Sequence, residues 1–215
     1  MNDSPSRFSQ AFEDVRLKLL SSGLLAMADT SSSVALTGIG RGGGVTTVAI
    51  GVAAAIARHS EGGVLLIDGT PLGTRCADLL GLEAPPLVAQ AGETSLEQCL
   101  APVPALGITL LQLAAAPPQA GDAVAAEGWD RLWRLLRQRY RHLIVDAGSL
   151  KTDAPLRWAG WVDHAVLVVD TTQVTREMLE GFRREMRHGG PALAGFILNK
   201  RRFHVPAGLY RAVMN

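Results

Sequence analysis

Short runs of uninterrupted apolar residues recur along this chain, and stretches with helical periodicity separate them. Runs such as 64–68 (VLLID) and 164–170 (HAVLVVD) show no alternation between polar and apolar positions. Uninterrupted runs are typical of parallel strands that are covered on both faces, and strands that alternate with helices imply crossover units. The chain has 215 residues, of which 47% are hydrophobic, enough for one sizeable core. We therefore predict a three-layer α/β/α fold with a mostly parallel sheet, whose strands lie at 34–37, 64–68, 108–115, 142–146, 164–170 and 194–199.

Amphipathic periodicity predicts the helices that cover this sheet. The segment 127–140 carries Trp129 and Trp133 on its apolar side and most of its arginines elsewhere. We interpret these tryptophans, together with Trp158 and Trp161, as packing residues of the core or of an interface. Helices are expected at 46–59, 94–100, 127–140 and 175–188.

The N-terminal segment also has a helical pattern. Phe8, Phe12, Val15 and Leu19 recur at spacings of four, three and four residues, which gives a helix one apolar stripe. We expect one globular domain overall, made of an N-terminal interaction helix at 1–30, a main domain at 31–200 and a short tail at 201–215.

The glycine-rich stretch GIGRGGGVTT, residues 38–47, links the first predicted strand to a helix. Glycines at 42–44 let the backbone approach an anion closely, and the N-terminus of the following helix offers free N–H groups. In a P-loop, a lysine just before the hydroxyl residue contacts the β- and γ-phosphates. Here Val45 takes the position of that lysine, while Thr46 supplies the hydroxyl. The stretch therefore predicts a P-loop NTPase-like site without its cation, and the alternative is a tight turn with no ligand.

Polar side chains end the other predicted strands. Asp68, Asp146, Asp170 and Asn199 each stand at the last position of a run. Because ligands bind at the carboxyl ends of parallel strands, we expect these residues near the glycine loop. Thr46 and Asp146 match the hydroxyl and the carboxylate that hold Mg²⁺ in P-loop proteins. Asp170 is interpreted as a turn residue.

Charge is unevenly distributed along the chain. Residues 1–130 carry 6 Lys+Arg and 13 Asp+Glu, a net charge of −7, whereas residues 131–215 carry 15 and 7, a net charge of +8. Such asymmetry is compatible with a basic surface, with head-to-tail self-association, or with ordinary solvated helix faces. Two cysteines without a signal peptide indicate a reducing cytoplasm, and the apolar run 48–57 is too short to span a bilayer. The five histidines lack ligand spacing.

Most of the chain resembles one known family. The matching segments read SQAFEDVRLKLL, VALTGIGRGGGVTTVAIGVAAAIA, VLLIDGTPLGTRCADLLGL, GETSLEQCLAPVPALGITLLQLAAAPP, RYRHLIVDAGSL, VDHAVLVVDTTQVTREML and LAGFILNK. They are similar to the N-terminal motif, the Walker A, Walker A′ and Walker B segments and the later strands of the cytoplasmic bacterial tyrosine autokinases of capsule and exopolysaccharide synthesis. These kinases belong to the ParA/MinD-type branch of P-loop proteins.

The resemblance implies a nucleotide site, with ATP or ADP and Mg²⁺ as candidate cofactors, or with none if the site has decayed. Asp68 matches the first Walker A′ aspartate and Asp146 the Walker B aspartate, so both are catalytic candidates by family position. Asn199 matches an asparagine that contacts adenine in related proteins, and Arg41 is a candidate phosphate contact. Nucleotide-binding candidates are Gly42, Gly43, Gly44, Val45, Thr46, Thr47 and Asn199, and Mg²⁺ candidates are Thr46, Asp68 and Asp146.

The departures from the family pattern fall first on catalytic positions. Val45 replaces the lysine, Thr70 replaces the second Walker A′ aspartate, and alanine and glycine at 147–148 replace the usual threonine and proline. Losing the lysine alone should cost on the order of 10²–10³ in rate. Several such losses, in a chain that keeps its core pattern, indicate a pseudoenzyme.

Interaction and acceptor positions depart as well. Gln10, Glu13 and Arg16 stand where the family has a glutamate and two arginines that act between subunits of head-to-tail rings, and only the last is kept. These three residues are our interface candidates, and a homo-oligomer is one expectation. The family's tail carries a cluster of tyrosines that become phosphorylated, whereas only Tyr210 lies in this tail.

Three functions are therefore open. The first is a degenerate kinase homologue that regulates exopolysaccharide or capsule synthesis and export. It would bind the cytoplasmic part of a membrane polysaccharide co-polymerase of the chain-length-determinant type, and so lie peripherally at the inner membrane. The second is an active ATP-dependent tyrosine autokinase. The third is a ParA/MinD-like or cellulose-secretion ATPase that acts on membrane or DNA, although the resemblance does not favour nucleic acid as a partner.

Overall fold

The computed structural model describes residues 4–25, 31–70, 75–88, 93–118, 122–150 and 154–200. The predicted tail at 201–215, with Tyr210, lies outside the described residues. The helices are α1 Ser4–Ser21, α2 Val45–Ala57, α3 Arg75–Leu80, α4 Glu93–Cys99, α5 Ala123–Arg139, α6 Ala154–Arg157 and α7 Arg176–Gly189. The strands are β1 Ser32–Gly38, β2 Val64–Asp68, β3 Leu100–Val103, β4 Ile108–Gln112, β5 His142–Ser149, β6 His164–Asp170 and β7 Leu193–Asn199.

Seven strands form a single sheet in the order β3-β4-β2-β5-β1-β6-β7. Neighbouring strands run parallel, except that β3 runs antiparallel to β4. The predicted fold class, with a mostly parallel central sheet, is confirmed. Because β1, β2, β5, β6 and β7 are parallel, their carboxyl ends lie along one edge of the sheet, and the glycine loop leaves β1 at that edge.

Helices cover the sheet on both faces and produce the three layers. All seven positions of β1 are buried. Val34 and Leu36 belong to the core beneath α2, whereas Ala35 packs on the opposite face with the core beneath α5. Further along the sheet, Phe182 and Met186 of α7 pack against β6. This burial on both faces explains why the strands lack polar alternation.

The tryptophans occupy the core beneath α5. Trp129 and Trp158 meet edge to face with ring centroids 6.1 Å apart, and Trp133 lies 5.6 Å from Trp158. All three side chains are buried. Their arrangement agrees with the packing role predicted for them.

Some element boundaries differ from the predictions. Helix α5 begins at Ala123, four residues before the predicted start, because Asp122 caps it by accepting a hydrogen bond from the Ala125 N–H at 3.1 Å. The antiparallel edge strand β3 was not predicted at all. It has only four residues, and Pro102 is one of them.

Helix α1 packs against α2. A Cβ atom on Gly51 would lie 2.3 Å from the ring of Phe12, so the missing side chain makes room for that ring. Glu13 accepts hydrogen bonds from Arg58 Nη2 at 2.5 Å and from Arg16 Nε at 2.8 Å. No helix in the described part of the chain is both long enough and apolar enough to cross a membrane.

Candidate functional site

The glycine loop connects β1 to α2 through a backbone that only glycine adopts easily. Gly42 and Gly44 have φ angles of 74° and 85°. A Cβ atom on Gly44 would also lie 2.3 Å from Asn199 Nδ2, which leaves no room for a side chain. Helix α2 begins directly after Gly44, so its first N–H groups face the loop. A backbone of this kind can receive an anion.

Val45 lies beneath the loop as part of the apolar core. Its side chain is 7% exposed, and its Cγ2 atom would lie 2.8 Å from a Cβ atom built on Gly38. The side chain thus packs back against the end of β1. An isopropyl group in this position gives the loop no charge and no hydrogen-bond donor.

Asp68 ends β2 and pairs in register with Asp146 of β5, a strand that continues to Ser149. Asp68 is fully buried and accepts hydrogen bonds from the Thr70 hydroxyl at 2.8 Å and from the Cys76 N–H at 3.0 Å. Asp146 is also fully buried and accepts one from the Gly148 N–H at 3.0 Å. The structure therefore brings the two predicted carboxylates together.

Burial governs the charge of this pair. It raises the pKa of Asp146 to about 6, with the Asp68 charge acting in the same direction, whereas a hydrogen bond from the Thr46 hydroxyl acts to lower it. Burial, reinforced by the charges of Asp68 and Asp146, also raises the pKa of the Cys76 thiol far above its ordinary value. Cys76 Sγ lies 4.0 Å from Asp146 Oδ2. The Cys76 thiol is therefore protonated at neutral pH.

These donors fit a hard cation. Asp68, Cys76 and Asp146 offer ligand atoms within 4.8 Å of one another, and Thr46 adds a hydroxyl oxygen on Asp146. Mg²⁺ prefers carboxylate and hydroxyl oxygens to a protonated thiol. Thr46, Asp68 and Asp146 are therefore the residues that could hold it, as the sequence predicted.

A tryptophan packs against the backbone that follows β2. A Cβ atom on Gly69 would lie 2.5 Å from Cζ2 of Trp158, so that ring presses directly on the backbone after Asp68. Thr70 is buried and its hydroxyl bonds to Asp68. The Thr70 hydroxyl is thus used to bond Asp68, and this position offers no second carboxylate.

Asp170, which the sequence predicts near the loop, forms an ion pair there with Lys200, and this pairing was not predicted. Lys200 Nζ donates to the carbonyl of Gly42 at 2.6 Å and pairs with Asp170 Oδ2 at 2.9 Å. Asn199 Nδ2 donates to the carbonyl of Gly43 at 2.9 Å. Hydrogen bonds from Thr172, and then from Lys200, hold the pKa of Asp170 below its ordinary value. In the sequence, this pairing is indicated only by the positions of Asp170 and Lys200, which lie at the ends of two apolar runs.

The other predicted site residues are exposed or half-buried. Arg41 and Thr47 are exposed in the loop and on the first turn of α2. Of the interface candidates, Gln10 is exposed, and Glu13 and Arg16 bond to each other on α1. Glu13 also binds Arg58, so part of this cluster joins α1 to α2 within one chain.

Comparison with known proteins rests on structure alone. No family model matches the chain, and no curated protein matches its sequence. Solved structures do match it. The VpsO kinase domain shares 24% identity, with 93% of this chain and 98% of that chain covered and a TM-score of 0.68.

Two further structures with a similar fold are a tyrosine kinase domain and a protein bound to Mg-ADP. The kinase domain of the Escherichia coli tyrosine kinase ETK shares 22% identity over 93% of this chain and 79% of that chain, with a TM-score of 0.72. The septum site-determining protein MinD from Pyrococcus horikoshii, complexed with Mg-ADP, shares 19% identity over 85% of this chain and 77% of that chain, with a TM-score of 0.58. The chain therefore has the three-layer α/β/α fold that these two tyrosine kinase domains and this MinD protein share.

Proposed function

We propose that this chain is a catalytically degenerate, tyrosine-kinase-like P-loop protein. In this proposal it regulates exopolysaccharide or capsule biosynthesis and export by binding the cytoplasmic part of a membrane polysaccharide co-polymerase. It works at the cytoplasmic face of the inner membrane, held there by that partner.

The burial of Val45 is the observation that carries the proposal. Phosphoryl transfer depends on positioning and on charge that stabilises the transferring phosphate. The apolar Val45 side chain is packed into the core at the position of the usual lysine, and Thr70 takes the place of a carboxylate. Two groups that the reaction needs are absent, while the loop backbone remains suited to an anion.

Nucleotide binding without turnover is the expected state of such a site. The loop N–H groups would receive the phosphates, and Mg²⁺ on Thr46, Asp68 and Asp146 would neutralise part of their charge. The buried carboxylates and the glycine φ angles support this view. Affinity should be weak, because one charge-assisted contact is missing.

The partner is proposed from the family resemblance. The matched segments span most of the chain, including the stretch GETSLEQCLAPVPALGITLLQLAAAPP, which is similar to the capsule and exopolysaccharide kinases. A protein without turnover can still act by occupying a partner's cytoplasmic surface. We therefore propose that the chain regulates its partner by binding to it and not by phosphoryl transfer.

A second candidate is an active tyrosine autokinase, and one contact favours it. The ammonium group of Lys200 lies on the loop, so a cation is present near the expected phosphates although not at position 45. Activity of this kind would place phosphate on tyrosine.

One experiment tests the proposal against this candidate. The purified chain is mixed with inverted inner-membrane vesicles that contain a polysaccharide co-polymerase, and Mg-ATP is added. We expect most of the chain to sediment with these vesicles and not with vesicles from a strain that lacks the co-polymerase. Mass spectrometry should find no phosphotyrosine. Equal sedimentation with both vesicles would refute the partner, and phosphate on Tyr140 or Tyr210 would refute the loss of catalysis.

A further inference from the structure

Two residues at the end of β7 donate hydrogen bonds to carbonyl groups of the glycine loop. Asn199 Nδ2 donates to the Gly43 carbonyl at 2.9 Å, and Lys200 Nζ donates to the Gly42 carbonyl at 2.6 Å. Two consecutive carbonyl groups of the loop thus accept hydrogen bonds from the last residue of β7 and from the residue that follows it.

Lys200 adopts an unusual backbone conformation to make this contact. Its φ angle is 54°, and among the described residues it is the one non-glycine residue with a positive φ. A side chain makes this region unfavourable, so a residue remains there only where its surroundings fix it. The Lys200 N–H also donates to Asn199 Oδ1 at 2.9 Å.

Asp170 gives the ammonium group of Lys200 a fixed counter-ion. The Asp170 side chain is 4% exposed and lies 2.9 Å from Lys200 Nζ. Thr172 donates to the other oxygen of this carboxylate from its hydroxyl at 2.6 Å and from its N–H at 3.0 Å. The carboxylate is therefore held in place, and it keeps the cation directed at the loop.

Binding these carbonyls also orients the N–H groups of the loop. In a trans peptide the C=O of one residue and the N–H of the next point in opposite directions. When the carbonyls of Gly42 and Gly43 are turned toward β7, the N–H groups of Gly43 and Gly44 point away from it. Backbone N–H groups that are left free in this way form an anion-binding concavity.

We propose that Lys200, held by Asp170, is a positioning residue that fixes the glycine loop in the shape that binds the phosphates of a nucleotide. Val45 brings no cation to the loop, and Lys200 provides one from the position just after β7. The identity of the ligand rests on the proposed function, but the fixed shape of the loop is testable without any ligand.

Trypsin provides a local probe of the loop in the ligand-free protein. Arg41 is exposed within the loop, so the Arg41–Gly42 bond is cut when the loop opens. We expect Lys200→Met to raise the rate of this cleavage about tenfold, the effect of losing one charge-assisted hydrogen bond. Lys200→Arg should stay within about threefold of the wild type, since it keeps the charge and the donors, and Asp170→Asn should lie between the two.

The matched control is Lys18→Met, which removes an exposed lysine from α1. It should leave the Arg41 cleavage rate and the thermal midpoint unchanged, and Lys200→Met should leave the midpoint nearly unchanged as well. Unaltered Arg41 cleavage in Lys200→Met would overturn the proposal. Faster cleavage in Lys18→Met, or no rescue by arginine, would overturn it too.

A titration with Mg-ADP extends the test to the ligand. Lys200→Met should bind Mg-ADP about tenfold more weakly than the wild type, and Lys200→Arg should come close to the wild type. If the wild type binds no Mg-ADP, the proposed nucleotide site is wrong, while the cleavage rates still decide whether Lys200 fixes the loop.

Discussion

At the scale of single residues, the site combines polar groups that suit Mg²⁺ with an apolar residue at the start of α2. Asp68, Asp146 and Thr46 lie together as Mg²⁺ would need, whereas the Val45 side chain packs into the core against Gly38. The charged form of Asp146 is costly, because burial outweighs its hydrogen bonds and the nearby charge of Arg75 and so raises its pKa. A cation bound beside Asp146 would offset this cost.

The charge on Asp146 should make stability depend on pH. With its pKa raised from 3.8 to about 6, the folded protein retains a proton that the unfolded chain has lost between these values, so stability falls as pH rises through about 6. Asp146→Asn removes this ionisation and keeps an oxygen for the Gly148 N–H. We expect the variant to be more stable than the wild type at pH 7.5 by about 2 kcal/mol, and equally stable near pH 4.

Chemical denaturation from pH 4 to pH 8 measures this difference. The matched control is Asp130→Asn on the exposed face of α5, which should show no such change with pH. A stability difference for Asp146→Asn that stays constant over the whole range would contradict the raised pKa.

Residues such as Lys200 show where sequence reasoning stops. The strand-end positions of Asp68 and Asn199 could be predicted, because uninterrupted apolar runs mark where these strands end, whereas β5 continues past Asp146 to Ser149. The contact of Lys200 with Gly42 could not, since it depends on β7 lying beside β6 and on a left-handed backbone after the strand. Strand order is a tertiary property that no local pattern encodes.

At the scale of elements, α1 is attached to the domain through α2. The Phe12 ring occupies the space above Gly51, and Glu13 binds Arg58. Burial tends to raise the pKa of Glu13, but hydrogen bonds from Arg16 and Arg58 outweigh it and lower that pKa. This ion pair is exposed and adds little stability, so the aromatic contact should decide how α1 sits.

Gly51→Ala should loosen this attachment. The new methyl group would overlap the Phe12 ring, so α1 must shift, and amide exchange in α1 should become faster although alanine favours the helix itself. Phe12→Ala should relieve the overlap in the double variant. A double-mutant cycle by thermal denaturation should give a coupling of about 1 kcal/mol.

Gly181→Ala on α7 provides the control for this change. Nothing lies within 4 Å of its missing side chain, so the same substitution should stabilise the protein by about 0.5–1 kcal/mol. An α1 exchange rate that does not change in Gly51→Ala would show that Phe12 does not set the position of the helix.

Elements with strong patterns were predicted within a few residues, and weak ones were missed. The strand Val64–Asp68 and the strand His164–Asp170 match their predicted bounds. The strand Leu100–Val103 was missed because it is short and half-buried. Its extended backbone is stabilised by pairing with β4, a tertiary contact. Such a strand has no signal of its own in the sequence.

At the scale of the whole molecule, the fold does not depend on the chemistry of the loop. The sheet is stabilised by apolar side chains on both faces, and Val45 adds to that core. The fold therefore does not require a lysine at position 45. Similarity to kinase domains shows the fold, and activity has to be judged from the residues of the site.

Calorimetric titration with Mg-ADP, comparing the wild type with Val45→Lys, tests this account most directly. We expect weak but measurable binding by the wild type and binding at least tenfold tighter by Val45→Lys, because the lysine supplies a charge-assisted contact to phosphate. The same change at the exposed Val88 should have no effect. Tight binding by the wild type, with no gain in Val45→Lys, would contradict the loss of the site's cation.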